Sequence, residues 1–446
     1  MQTFITQQHK DEAVESLKTL IAYPSVLDEE PKDGTPFGQG IQDALEGALE
    51  LCKRLGMETY IDPDGYYGYA EYGSGEETLA ILCHMDVVPA GNEADWDTPP
   101  FEAVVKGDSI YGRGTQDDKG PSVAALYALK AVIDSGANFE RRIRFIFGSD
   151  EENLWRGLDQ YNKKEKPATM GFSPDSVFPL TYAEKGLLQV KLHGPKSNQV
   201  QVQAGGALNV VPDQAIYSGE YADELQKQLD QQGFEYEKND DHIRVKGKAI
   251  HSKDAPQGTN AVSRLAIGLS SVVSEPALNF IAKEIGEDAK GTQLFGEIHD
   301  EDSGSLTFNV AQLKINEDSS EIGIDIRIPV SADKDEIVKS LKTAAAKYHL
   351  DYEEFDYLAS LYVPKDSDLV QTLLAVYREK TGDQAEPMSS GGATFARTMK
   401  NCVAFGAMFP DTQDTMHMPN ENMPLKDIYR SMDIFAEAIY RLACQS

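Results

Sequence analysis

Imidazole and carboxylate groups recur in this chain where short apolar runs end. His84-Met85-Asp86 follows Leu79-Ala80-Ile81-Leu82-Cys83, and Asp150-Glu151-Glu152 follows Ile143-Arg144-Phe145-Ile146-Phe147. Asp117-Asp118 lies in the Gly-rich stretch 112–120, Asp175 in Phe172-Ser173-Pro174-Asp175, and His417 in Thr415-Met416-His417-Met418-Pro419. Alternation along a strand points His84 and Asp86 the same way, which suits an imidazole ligand oriented by a neighbouring carboxylate. Singly, each feature has a plainer explanation, since aspartates favour turns and glutamates favour helix starts. Together, hard carboxylates with one or two imidazoles suit a divalent zinc, cobalt or manganese ion. Of two adjacent glutamates on a turning backbone, one can ligate while the other stands off as a general base.

Positioning such groups takes an open α/β sheet, whose chemistry sits at the carboxyl ends of its strands. Apolar spacing predicts helices over 11–22 and 41–55, strands near 57–61, 66–72 and 79–83, a helix over 122–133 and a strand over 142–148. A further helix is expected to start near Leu154, and the Pro- and Gly-rich residues 25–40 read as loop. After Glu184-Lys185-Gly186 the pattern turns β-rich, with Leu188–Leu192 and Ile322–Ile326 alternating and helices expected over 260–273 and 334–348. A helix over 367–380, a buried strand over 403–409 and a helix over 426–443 complete the chain. The expected organisation is a catalytic α/β domain in two parts, 1–186 and 365–446. An α+β insert at 187–364, built as two lobes, interrupts it.

The 446 residues exceed what one hydrophobic core usually supports. A net charge of −31, from 73 acids against 42 bases, argues against nucleic acid or an anionic membrane as partner. No apolar run approaches the ~18–20 residues that span a bilayer. The start Met1-Gln2-Thr3-Phe4-Ile5-Thr6 lacks a leader pattern. Cys52, Cys83, Cys402 and Cys444 form no C-x-x-C pair, and Cys83 and Cys402 sit in apolar runs as buried thiols. The expected compartment is the reducing cytoplasm.

In this order, His84-Met85-Asp86, Gly112-Arg113-Gly114 through Asp117-Asp118-Lys119-Gly120, Asp150-Glu151-Glu152, Asp175 and His417 resemble the co-catalytic metallopeptidase family of aminoacylase, carnosinase, carboxypeptidase G and the PepV dipeptidases. The likeness continues in Gly205–Pro212, Gly247–Ser252, Ile324-Asp325-Ile326-Arg327 and Ser389–Ala393. It implies a phosphorylase/hydrolase-like zinc-peptidase domain, a mixed sheet flanked by helices, carrying an inserted lid. Asp117 would bridge two metal ions, zinc foremost, with cobalt or manganese as alternatives. His84 and Asp175 would complete one ion, and Glu152 and His417 the other. Asp86 would buttress His84, Glu151 would be the general acid/base, and the Asp117–Asp118 peptide would be cis. His251 would stabilise the oxyanion from the lid, Arg327 would clamp the substrate carboxylate, and Asn209 and Ser390, Gly391 and Gly392 would bind the substrate backbone.

The insert of roughly 175 residues is larger than one small α+β unit needs. That size, Asp150–Trp155 and Thr415-Met416-His417 look closest to the PepV type, in which a monomer supplies its own lid histidine. The expected activity is hydrolysis of dipeptides with a free N-terminus. A deacylase of N-acyl amino acids is the enzymatic alternative, and a metal-dependent binding protein the non-catalytic one. Residues 272–305 carry no motif of the family.

Overall fold

The computed structural model describes residues 3–28, 30 and 34–444. Met1-Gln2, and residues 29 and 31–33 of the loop expected over 25–40, lie outside the described residues. The chain forms two compact units, one of Met1–Tyr182, Tyr362–Met388 and Thr394–Ser446, the other of Ala183–Leu361 and Ser389–Ala393.

The first unit is built on the strand Thr78–His84, buried along both faces beyond Thr78. A strand covered on two sides must read as a continuous apolar run, and Leu79–Cys83 does. Parallel strands flank it: Arg142–Gly148 on one side and Met170–Ser173 on the other, with Cys402–Ala404 parallel beyond. Tyr67–Tyr72 and Glu58–Ile61 continue the sheet antiparallel past Arg142–Gly148, so the sheet is mixed. The parallel strands therefore present their carboxyl ends along one edge. The helix Lys119–Asp134, buried over most of its circumference, packs against Gln7–Ile21 and Leu425–Ala443. Thr6 starts the first of these with a capping box shared with His9.

Two expectations in this unit need correction. The strand expected over 403–409 is two, Cys402–Ala404 and Ala407–Met408. Gly406 between them has φ +79° and a side on which a Cβ would come within 2.3 Å of the Phe178 ring. The turn there lets Ala407–Met408 pair with Ser176–Val177 instead. The helix expected from Leu154 starts at Arg156, because Trp155 is left-handed (φ 58°) and bonds its N–H to the Asp150 carbonyl at 2.8 Å.

The second unit holds an antiparallel sheet in the order Val202–Gly205, Thr307–Ile315, Ser320–Ile328, Gly186–Gly194, Asp351–Leu358. A smaller sheet runs Gln214–Tyr217, Ile243–Lys246, Tyr236–Lys238. One continuous apolar core joins them, from Leu188 and Ile324 to Val245 and Leu265. In Ser320–Ile328 the four isoleucines take one face, so Asp325 and Arg327 share the other. Besides the expected helices, found at Ala261–Ser270 and Lys334–Ala346, there are helices at Ala222–Gln232 and Pro276–Phe280. The first escapes a periodicity reading because only Leu225 and Leu229 are buried in an otherwise polar segment.

Among the described residues no helix is long and apolar enough to cross a membrane. No disulfide joins the cysteines among the described residues, and Cys52, Cys83 and Cys402 are buried.

Candidate metal centre

Three neighbouring parallel strands deliver candidate ligands from their carboxyl ends. His84 is the last residue of its strand, Glu151 and Glu152 follow Arg142–Gly148, and Asp175 follows Met170–Ser173. Asp117 precedes the helix Lys119–Asp134, and His417 lies in the loop before the strand Asn422–Pro424. The Asp117 carboxylate sits between the two rings, with Oδ1 2.9 Å from His84 Nε2 and Oδ2 2.9 Å from His417 Nε2. Asp175 Oδ2 lies 3.5 Å from His84 Nε2, and Glu152 Oε2 lies 3.1 Å from His417 Nε2. Two triads result, His84–Asp117–Asp175 and Asp117–Glu152–His417, each with its potential ligand atoms within 4.8 Å of one another. The Asp117–Asp118 peptide is cis.

The electrostatics fit a cation. Four carboxylates, Asp117, Glu151, Glu152 and Asp175, interact with only two imidazoles. Burial and the neighbouring acids raise Glu152 to about 7 and push Glu151 and Asp175 upward as well. Burial disfavours charge on His84, but hydrogen bonds with Asp117 and Asp175, with the Asp86 carboxylate close by, outweigh it and raise its pKa well above the usual value. Hydrogen bonds with Asp117 and Glu152 push His417 up to about 10. Burial opposes charge on Asp117 too, but hydrogen bonds from His417 and His84 outweigh it and keep this carboxylate ionised, so the protons gather on the two imidazoles and the outer carboxylates. Divalent ions on hard oxygen and imidazole donors satisfy the same need.

The orientation of His84 differs in detail from the expectation. Its Nδ1 meets the backbone carbonyl of Asp86 at 3.0 Å, whereas the Asp86 carboxylate stands 3.6 Å away, too far for a hydrogen bond. That carboxylate instead accepts the Glu152 N–H at 3.1 Å, so Asp86 steadies ligands from both triads. Asp118, whose Oδ2 accepts the His84 N–H at 3.1 Å and the Ser122 hydroxyl at 2.9 Å, anchors the cis turn to the strand.

Gln116 and Glu421 carry supporting roles that the sequence reading did not single out. The Gln116 amide donates to the carbonyls of Gln413 (2.9 Å) and Asn422 (2.7 Å) and accepts the Thr415 N–H (2.9 Å). It therefore ties the loop bearing His417 to the turn bearing Asp117. Glu421 is fully buried and accepts N–H groups of Gly114 and Gln116 at 3.1 and 2.9 Å. No local signal marks a glutamate in Pro-Asn-Glu-Asn as buried.

In the second unit, the expected substrate-binding residues gather around Ser252. The Ser252 N–H donates to the Asn209 carbonyl at 2.8 Å, and the Ser252 hydroxyl donates to Asp325 at 2.7 Å. Arg327, 2% exposed, donates to both Asp325 oxygens (2.7 and 3.1 Å), to Ser252 Oγ (3.2 Å) and through Nη1 to the Gly391 carbonyl (3.1 Å). Most of its fork is thus occupied by its own unit, with Asp325 neutralising it. Ser390 Oγ accepts the Gly392 N–H at 2.9 Å and shapes the turn that presents Gly391. His251 Nδ1 accepts the Lys253 N–H at 3.1 Å, which puts the ring proton of the neutral form on Nε2. Burial, Arg327 and Lys253 all lower its pKa, so the neutral form prevails at pH 7.

The family model described as peptidase family M20/M25/M40 matches residues 80–441. "Putative dipeptidase YtjP" of Bacillus subtilis (strain 168) is 36% identical over 458 residues, covering 97% of this chain and 98% of its own. Human carnosine dipeptidase 1 superposes with a TM-score of 0.59 at 18% identity, over 97% of this chain and 96% of that one. The Bacillus subtilis YXEP protein, described as a dinuclear metal-binding peptidase of the M20 family, gives a TM-score of 0.54 at 11% identity, over 98% and 99%.

Proposed function

The chain belongs to peptidase family M20/M25/M40, and on that premise we propose that it is a dipeptidase working with two divalent metal ions. The observation that carries this is the placing of Asp117 between two triads, one carboxylate oxygen facing each. His84, Asp117 and Asp175 would hold one ion, and Asp117, Glu152 and His417 the other. Zinc is the first choice, and cobalt and manganese suit the same donors. When bound, such ions supply Lewis acidity to the scissile carbonyl and to the attacking water.

The chain's own groups do the rest. Glu151 belongs to neither triad, and burial with the neighbouring carboxylates holds it well above the ordinary carboxyl range. It takes the proton of the attacking water and passes it to the leaving amine. His251, neutral with its proton on Nε2, donates to the developing oxyanion. Arg327, fixed by Asp325 and Ser252, binds the substrate carboxylate, and Asn209 with the Ser390–Gly392 turn binds its backbone. The substrate is a dipeptide with a free N-terminus, consistent with the relative designated a dipeptidase. The enzyme acts as a monomer with His251 in cis, in the cytoplasm, where its four free thiols stay reduced.

The test is a panel of dipeptides, tripeptides and N-acyl amino acids, assayed with each metal after chelation. Dipeptides should turn over fastest. Hydrolysis of N-acetyl or N-succinyl amino acids without dipeptide turnover would make the protein a deacylase instead.

A further inference from the structure

The two triads are supported differently. His84 and Asp175 sit on or just past strands of the central sheet, and Ser173 Oγ donates to the Leu82 carbonyl at 2.9 Å, tying those two strands together. His417 has no such support: it is exposed, left-handed at φ 62°, and lies in a loop between Met408 and Asn422. Beside the Gln116 amide, a buried charge pair holds that loop. Arg113 Nη1 donates to Glu421 Oε2 at 2.7 Å, with both side chains no more than 2% exposed. Glu421 Oε1 accepts the N–H groups of Gly114, Gln116 and, at 3.4 Å, Asp117 itself. Arg113 donates onward to the carbonyls of Met418 (3.4 Å) and Pro89 (3.2 Å) and packs its guanidinium 5.2 Å from the Trp96 ring centroid.

From this geometry we infer that Arg113 and Glu421 are positioning residues for the Asp117–Glu152–His417 triad, acting through the His417 loop that Arg113 holds, whereas in the other triad His84 and Asp175 are fixed by the sheet and only the shared Asp117 meets Glu421, through its N–H at 3.4 Å. A buried pair of this kind contributes little net stability, because desolvation offsets the attraction. Its value lies in geometry. The pair joins the residue after His417 to the backbone beside Asp117, so the ligand atoms of one triad keep their spacing although their loops are about 300 positions apart. Groups that orient metal ligands typically account for about 10–100-fold in affinity.

The inference rests on the two-ion reading, and the experiment separates the two. Metal-stripped wild-type protein is titrated with zinc against a competing chelator, beside Glu421→Gln, Arg113→Lys and His417→Ala. Glu421→Gln keeps the shape and one acceptor oxygen but turns the other atom into a donor facing Arg113. Arg113→Lys keeps the charge and loses the fork that reaches Met418 and Pro89. Wild type should bind two ions. Glu421→Gln should weaken one of them by about 10–100-fold and leave the other within about twofold, as His417→Ala does, with Arg113→Lys smaller in the same direction. The melting temperature of each stripped protein reports folding, and Arg113→Lys carries the test if Glu421→Gln does not fold. Equal weakening of both ions, or of neither, in a folded variant overturns the inference while the two-ion reading stands. A wild type that binds one ion overturns that reading, and the inference with it.

Discussion

The neighbouring glutamates 151 and 152 are chemically alike, yet their placing assigns them opposite tasks, and Glu151→Gln tests this directly. Glu152 lies 3.1 Å from His417 Nε2 and belongs to a candidate ligand triad, whereas Glu151 belongs to neither. Replacing Glu151 by its amide removes the proton acceptor and preserves volume and ligands. General acid–base catalysis contributes about 10²–10⁴ in rate, so kcat should fall by that factor. The barrier should rise by about 3–5 kcal/mol at 1.36 kcal/mol per tenfold. KM should change little, because the Michaelis complex does not depend on the proton transfer. Glu152→Gln should instead lower bound metal, since it removes an anionic donor from the second triad. Steady-state kinetics and metal content measured on both variants decide the matter. Full activity in Glu151→Gln, or loss of metal from it comparable to Glu152→Gln, would refute the assignment.

Removing the metal should destabilise the first unit, because its clustered carboxylates lose their counter-charge. At an ion concentration 100-fold above Kd the stabilisation is about 2.7 kcal/mol, read as a drop in melting temperature on chelation that zinc restores. His251→Gln should lower kcat by about 10²–10³, the usual effect of losing an oxyanion donor. The same residue sets a pH dependence of stability. Its folded pKa lies below the ordinary histidine value of about 6.5, so below about that pH the unfolded chain binds the proton more readily and wild-type stability falls. Denaturation from pH 7.5 to 5 should show His251→Gln losing less stability than wild type, and parallel curves would count against the depressed pKa. Arg327→Lys should raise KM for dipeptides by about tenfold or more while kcat falls less, because lysine cannot keep the fork shared with Asp325 and Gly391. An unchanged KM would remove Arg327 from substrate binding.

Much of the first unit was legible because its signals are local. An apolar run followed by His84, or by Glu151 and Glu152, announces a buried strand and what it delivers, and burial on both faces dictates that composition. Helix bounds came out within a residue or two where a cap or proline marks them, as at Ser367 and Pro24, whereas the first helix starts at Gln7 behind its Thr6 cap and not at 11. The expectations that failed turn on a single residue's backbone: Gly406 splits a strand, and Trp155 delays a helix. The polar helix Ala222–Gln232 escaped because two buried leucines are too few to make a period.

Residue types and their order along the chain were enough to suggest a divalent-metal site, since ligand chemistry belongs to the side chains themselves, and it was the resemblance to a known family that made it a peptidase's. Spacing along the chain could not tell which groups meet. Only folding brings His417 within 2.9 Å of Asp117. Only folding brings the Asp86 carboxylate to the Glu152 N–H, buries Glu421 against Arg113, and occupies Arg327 with Asp325. Those contacts join segments far apart in sequence or depend on local angles that composition does not specify. The donors are written into the chain; their distances come from packing.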